Sequence, residues 1–262
     1  ALVTATAAED TPFNLARRAL EQGVPEAAVA ALKEKIAEDG TSAERMLYAE
    51  ALIAAGRPKD ALEVLMPVKT EQQGRMEFLQ AQAWAAMGEW SRAGTHYERA
   101  RNEDPGLANL ALRGEAESLS GQSNNTAALG ILESLLENDP DDQRLRLRCI
   151  ELSMQLSRLD RARELFDAGP EKYEDSLSGT AAYVEARLLM AEKSYERAAE
   201  LLQQILKHPR GVSPRVLAGA SAAAARALRR TESTYRAENL LEEFIDSHPE
   251  NPDLELPFQE LN

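Results

Sequence analysis

The residues of this chain that could do acid–base, nucleophilic or metal chemistry are few, and their spacing does not favour it. There are three histidines and one cysteine. His96 falls inside a helical apolar pattern, and His208 and His248 each stand directly before a proline, so the three share no local metal-binding motif. Cys149 can neither close an intramolecular disulfide nor build a zinc site alone, and its neighbours Leu147 and Ile150 predict a buried structural thiol. Acidic pairs such as Asp141-Asp142 and Glu242-Glu243 read as helix-terminal and solvent-facing charge. No phosphate-cradling glycine loop, nucleophile elbow or zinc-protease helix occurs. The expectation is a protein that is not an enzyme and uses no cofactor and no metal.

Binding is the chemistry that remains, and charge narrows the partner. The net charge of −14, from 44 acidic and 30 basic side chains, disfavours nucleic acid, which needs a cationic footprint, and an anionic membrane surface for the same reason. No apolar run approaches the length of a membrane span, so no direct membrane insertion is expected. Residues 1–8, ALVTATAA, differ from the charged helices that follow. Ala5-Thr6-Ala7 has the small-x-small form that ends a secretory signal peptide, which predicts a leader or signal-peptide remnant and an exported, periplasmic or secreted protein. The alternative is a cytoplasmic protein with an alanine-rich leader.

The elements that must position any binding residue are legible from a period. Ala28, Ala61, Ala93, Ala128, Ala162, Ala198 and Ala237 are separated by 33, 32, 35, 34, 36 and 39 residues, each inside a helical apolar pattern. Such a period predicts stacked helix pairs, each packing on its neighbours. The pattern Ala198, Leu201, Leu202, Ile205 and Leu206, and its counterpart Ala237, Leu240, Leu241, Phe244 and Ile245, are the apolar stripes of second helices.

Between the helices of a pair, Gly23, Gly56 and Gly88 supply a turn that tolerates positive φ, and Pro25 and Pro58 suit the first turn of the helix that follows. Asp104-Pro105, Asp139-Pro140, His208-Pro209 and His248-Pro249 close second helices, because the residue before proline is pushed out of the helical region. Pro67 predicts an earlier end near Met66. Two irregularities are expected: a turn about two residues longer than its neighbours at SGQSNNT, residues 120–126, and an excursion from Pro209 to Pro214.

These residues resemble the tetratricopeptide repeat family over essentially the whole chain, from about Asp10 to Pro249. Ala81, Trp84, Gly88, Trp90, Ala93, Tyr97, Ala100 and Pro105 follow the family's pattern, as do Ala186, Tyr195, Ala198, Leu202 and Pro209. Departures are Lys35 and Gly169 where the family prefers alanine, Ile150 where it prefers a small residue, and Gly114 as the small residue of the fourth first helix. The resemblance implies an all-α fold, an α-solenoid in which about seven antiparallel helix pairs over residues 9–250 build a right-handed superhelix. Residues 251–262 are then a capping tail or linker. It also implies a non-catalytic interaction scaffold whose first helices line a concave groove.

Register within the first helices assigns the partner-binding groove to Phe13, Arg17, Met46, Glu50, Phe78, Gln82, Glu151, Met154, Tyr183, Arg187, Met190, Arg226 and Arg229, with Glu115 and Leu147 beside them. Aromatic and Met side chains supply contact area and charges fix register, so the expected partner is a protein or peptide segment. Arg187, Arg226, Arg229 and Arg230 gather toward the C-terminal end, where an acidic segment is expected to dock. Intramolecular pairing with Glu232, Glu238 or Glu242 is the competing expectation. The set of Lys and Asn side chains by which some of these repeats grip chaperone tails is missing, which excludes that reading. A monomer is expected, with head-to-tail self-association as an alternative. A second functional expectation is the targeting or assembly region of a larger exported enzyme or cell-envelope complex.

Overall fold

The computed structural model describes residues 11–231 and 234–261. The leader expected over residues 1–8, and Glu232, lie outside the described residues. Among the described residues the chain is helical throughout, with no strand. The first helices of seven pairs are α1 (Pro12–Glu21), α3 (Ser42–Ala54), α5 (Gln73–Ala86), α7 (Ala108–Gly121), α9 (Gln143–Gln155), α11 (Asp175–Ala191) and α13 (Pro214–Arg230). Their second helices are α2 (Pro25–Asp39), α4 (Pro58–Leu65), α6 (Trp90–Glu103), α8 (Asn125–Asn138), α10 (Leu159–Asp167), α12 (Tyr195–Lys207) and α14 (Thr234–Ser247). A further helix, α15 (Glu255–Leu261), follows the last pair. Contacts group the chain into two compact units, one up to Leu132 and one from Glu133.

Six of the pairs are closed by one turn. Its central residue has φ between 58° and 74°, and the next residue donates its N–H back into the first helix over 2.8 to 3.0 Å, as Val24 does to Ala19 and Ser194 to Leu189. Glycine takes the central place at Gly23, Gly56 and Gly88, but Ser123, Ser157 and Lys193 take it in the other three. Each stands five residues before its marker alanine, so turn and packing position are locked in register. The SGQSNNT segment is therefore not a lengthened loop. Ser123 adopts the left-handed conformation expected of glycine, and Asn125 and Thr126 already belong to α8. The extra length of that interval lies earlier, in the 3-10 turn Pro105–Leu107, where the Asp104 side chain accepts from the Gly106 N–H at 2.9 Å.

A left-handed lysine is strained by the contact of its Cβ with the following carbonyl. Lys193→Gly is therefore expected to raise the free energy of unfolding by about 1 kcal/mol. Urea denaturation that finds Lys193→Gly no more stable than the parent would show that the turn carries no such strain.

The helix ends obey local rules. First helices α1, α3, α9 and α13 open on side-chain caps from Thr11, Thr41, Asp142 and Ser213, and Thr41 forms a reciprocal capping box with Glu44. Second helices α2 and α4 begin on Pro25 and Pro58. The four closing Xaa-Pro pairs all fall just past second helices, and α4 ends at Leu65 ahead of Pro67, as the sequence predicts. Residues 208–213 form the excursion before α13.

Packing rests on small residues at two positions, with Ile150 the exception at the second. All seven marker alanines are fully buried, and so is the residue twelve places earlier in each first helix: Ala16, Ala49, Ala81, Ala116, Ile150, Ala186 and Ala225. The fourth small residue is thus Ala116, not Gly114. Gly114 instead leaves room for the ring of Tyr97 in α6. Gly169 falls beyond the short α10, with the Tyr173 hydroxyl against it, and Lys35 points to solvent and pairs with Asp39 at 3.0 Å. First helices also touch one another directly, α1, α3, α5 and α7 in sequence in the first unit and α9, α11 and α13 in the second, where α15 follows on α13. Each unit therefore has a continuous layer of first helices.

Candidate functional site

In the first unit the first-helix layer presents Phe13, Arg17, Glu50, Phe78 and Gln82 with some exposure. Phe13 is half-buried against the core, and Phe78 packs edge-on against Tyr97 with ring centroids 5.5 Å apart. Glu50 accepts from Arg75 of the next first helix at 3.2 Å. Met46 is only 2% exposed inside the core cluster, so it offers no surface to a partner. Glu115 leaves the groove assignment too. It pairs with Arg101 of α6 at 2.6 Å, because the register runs through Ala116 and places Arg113 at the position of Phe13 and Phe78, and Glu117 at that of Arg17 and Glu50. Because Ser123 and not a glycine takes the left-handed place in the turn before α8, the sequence does not mark this register. Leu110, one turn earlier in α7, is 53% exposed and joins that face.

In the second unit Leu147 is buried, while Glu151, Met154, Tyr183, Arg187, Met190 and Arg229 are half-buried and Arg226 is exposed. Glu151 pairs with Arg148 at 3.2 Å. The Arg187 guanidinium lies 5.7 Å over the Tyr183 ring, and that ring fills the space that a side chain on Gly219 would take. Helix α13 is buried without interruption from Leu217 to Ala225, so beyond its first residues, Pro214 and Arg215, its exposed side chains lie in the last turn, Arg226 to Arg230.

That turn borders a cavity of about 600 Å³, lined by Arg226, Arg229, Arg230, Met190, Ala191 and Tyr195. The arginines do not pair with Glu238 or Glu242. Arg226 donates to the Glu260 carboxylate of α15 at 3.3 Å, and Arg229 donates to the Glu260 carbonyl. Helix α15 is held there by buried Pro257 and by Leu254 and Leu261, which join the core clusters of α11 to α14. The tail of the second unit is therefore packed onto α13 and α14.

The chemistry-bearing residues of the sequence are placed elsewhere. His96 Nδ1 lies 2.7 Å from the Glu77 carboxylate between α5 and α6, and His248 stacks on Phe244 with centroids 4.4 Å apart. Cys149 is fully buried, and burial pushes its thiol up to about 12, so it stays protonated and unreactive in the folded chain.

Helix pairs locked by a common turn, small residues at the crossing positions and a layer of first helices with mixed aromatic and charged side chains define a helical-repeat protein. The profile of the tetratricopeptide repeat matches residues 19–85 and 119–182, half of the chain, and the chain belongs to that family. No curated protein matches it by sequence.

Solved structures share its fold at low identity. A tetratricopeptide repeat protein from Parabacteroides merdae is 16% identical with a TM-score of 0.65, over 96% of this chain and 98% of the other. The apo quorum sensor NprR from B. thuringiensis is 11% identical with a TM-score of 0.69, over 94% of this chain and 79% of the other. NprR in complex with its cognate peptide NprX is 10% identical with a TM-score of 0.56, over 98% and 82%.

Proposed function

We propose that this chain is a non-catalytic scaffold that holds a protein or peptide partner on the exposed faces of its first helices. The observation that carries the reading is the division of labour within those helices: small residues seal the crossings, and the side chains left outside are the aromatic, Met and charged types that recognise a segment. The family and the peptide-bound NprR structure support a peptide or protein as the class of partner.

The finer reading concerns the second unit. Arg187, Arg226, Arg229 and Arg230 receive an acidic segment of that partner, with Tyr183, Met190 and Tyr195 supplying apolar contact. The chain acts as a monomer in an exported, periplasmic or secreted setting. A second reading, the assembly region of a larger exported enzyme or envelope complex, is favoured by Leu256 and Phe258, which α15 exposes at 41% and 46%.

Capture of partners from lysate and envelope fractions of the native organism tests the proposal, with the parent compared against a variant carrying Arg187→Glu, Arg226→Glu and Arg229→Glu. A partner retained by the parent and lost from the folded variant is the expected result. Identical sets of captured proteins would remove the arginine face from the binding surface.

A further inference from the structure

We infer that Glu260 is a built-in competitor at the arginine cavity, holding Arg226 through the contact that a carboxylate of an acidic partner segment would make. The inference rests on the acidic-partner reading and adds regulation from within the chain. Its basis is that the structure already contains a worked instance of the recognition: a carboxylate seated on this face, 3.3 Å from the Arg226 guanidinium.

The pair is built to exchange. Its side chains are 51% exposed at Arg226 and 21% exposed at Glu260, so water reaches the contact and a second carboxylate can replace the first. The helix that carries Glu260 need not leave. Pro257 and Leu261 anchor α15, and the Glu260 carbonyl, not its side chain, receives Arg229. Rotation of one side chain therefore frees Arg226 while α15 stays in place beside the cavity.

Charge around the cavity is unbalanced. Arg226, Arg229 and Arg230 line it, and Glu260 supplies the one carboxylate that pairs there among the described residues. Arg187, on the neighbouring first helix, stands eleven residues before Ala198 as Arg226 stands eleven before Ala237, so the two are equivalent positions on adjacent helices. Packed helices lie about 8–10 Å apart, and a polyproline-II chain advances about 3.1 Å per residue with three residues per turn, so carboxylates on one side of such a ligand fall three residues and about 9 Å apart. The ligand class is an acidic peptide with that spacing, its intervening small or apolar residues lying against Met190 and Tyr195.

Fluorescence anisotropy at low ionic strength tests this. The probe is a short fluorescein-labelled peptide with glutamate at every third position in a serine–alanine background, and its all-glutamine counterpart is the control. Glu260→Gln is expected to bind the acidic probe about two- to five-fold more tightly than the parent, the range that losing one exposed ion pair allows. Glu260→Ser moves affinity in the same direction, and Arg226→Glu weakens it about ten-fold. The glutamine probe binds none of them measurably.

Equal or weaker binding by Glu260→Gln and Glu260→Ser, with the parent still binding, overturns the competitor and leaves the acidic site standing. Failure of the acidic probe to bind the parent and both variants overturns the competitor and the acidic reading together. Circular dichroism of each variant establishes that the comparison is between folded proteins.

Discussion

Gly114→Ala is expected to lower the free energy of unfolding by about 2 kcal/mol, although helix propensity alone would raise it by about 1 kcal/mol. The sign is decided by what stands beside the glycine. A Cβ at position 114 would fall within the ring of Tyr97, well inside van der Waals contact with three of its atoms. That ring cannot withdraw cheaply. Tyr97 is 5% exposed and braced edge-on by Phe78, and burial pushes its hydroxyl up to about 12. The methyl group must therefore displace a whole packed aromatic or separate α6 from α7.

Gly130 provides the control, since it lies within α8 and a Cβ there meets nothing within 4 Å. Gly130→Ala should stabilise by about 0.5–1 kcal/mol through propensity alone. Urea denaturation of the two variants is the measurement. Tyr97→Leu combined with Gly114→Ala should recover part of the loss, because the two sites share one contact. Stabilisation by Gly114→Ala of the same size as by Gly130→Ala would mean that the ring does not occupy the space the structure gives it.

Much of this fold is written in residues that act locally. A proline before or after a helix, a glycine at a left-handed turn and an alanine at a crossing each impose their geometry within a few residues, so the pairs, their stops and their period are legible in order. Ser123, Ser157 and Lys193 are not, because a left-handed residue without glycine costs only about 1–2 kcal/mol and tertiary packing can carry it. With no glycine to mark the turn at Ser123, the sequence hides the register of α7, in which Ala116 and Glu117, not Gly114 and Glu115, take the crossing and face positions.

The binding face is less legible for a similar reason. Met46 and Leu147 occupy the same register as Phe13, Phe78 and Tyr183, yet they are buried where the others keep some exposure. Periodicity assigns a direction to a side chain but not what the neighbouring helix places over it. Glu260 is 34 residues from Arg226, in a tail whose pairing no helical period announces. Its one signal in the sequence is the return of apolar residues at Leu254, Leu256, Phe258 and Leu261 after the last proline, which marks a segment needing something to pack on.

Ala198→Leu is expected to cost about 3 kcal/mol, near the upper end for adding carbon to a packed core. Ala198 is fully buried at the crossing of α12 with its neighbours, in a cluster with Leu189, Ala225, Leu228, Ala237 and Leu241. Alanines on three helices meet in that cluster, which is how the helices approach closely, so the larger side chain must drive backbones apart. Glu200→Leu, on the solvent side of the same helix, adds comparable apolar bulk and should stay within about 0.5 kcal/mol of the parent.

The damage should also reach the arginine cavity. Met190 and Leu261 pack on the same cluster, one lining the cavity and the other anchoring the helix that carries Glu260. Ala198→Leu should therefore weaken binding of the acidic probe as well as melt early, while Glu200→Leu does neither. Early melting with unaltered binding would show that the last turn of α13 is held independently of the packing beneath it, and an unchanged melting temperature would show that Ala198 does not sit at a helix crossing.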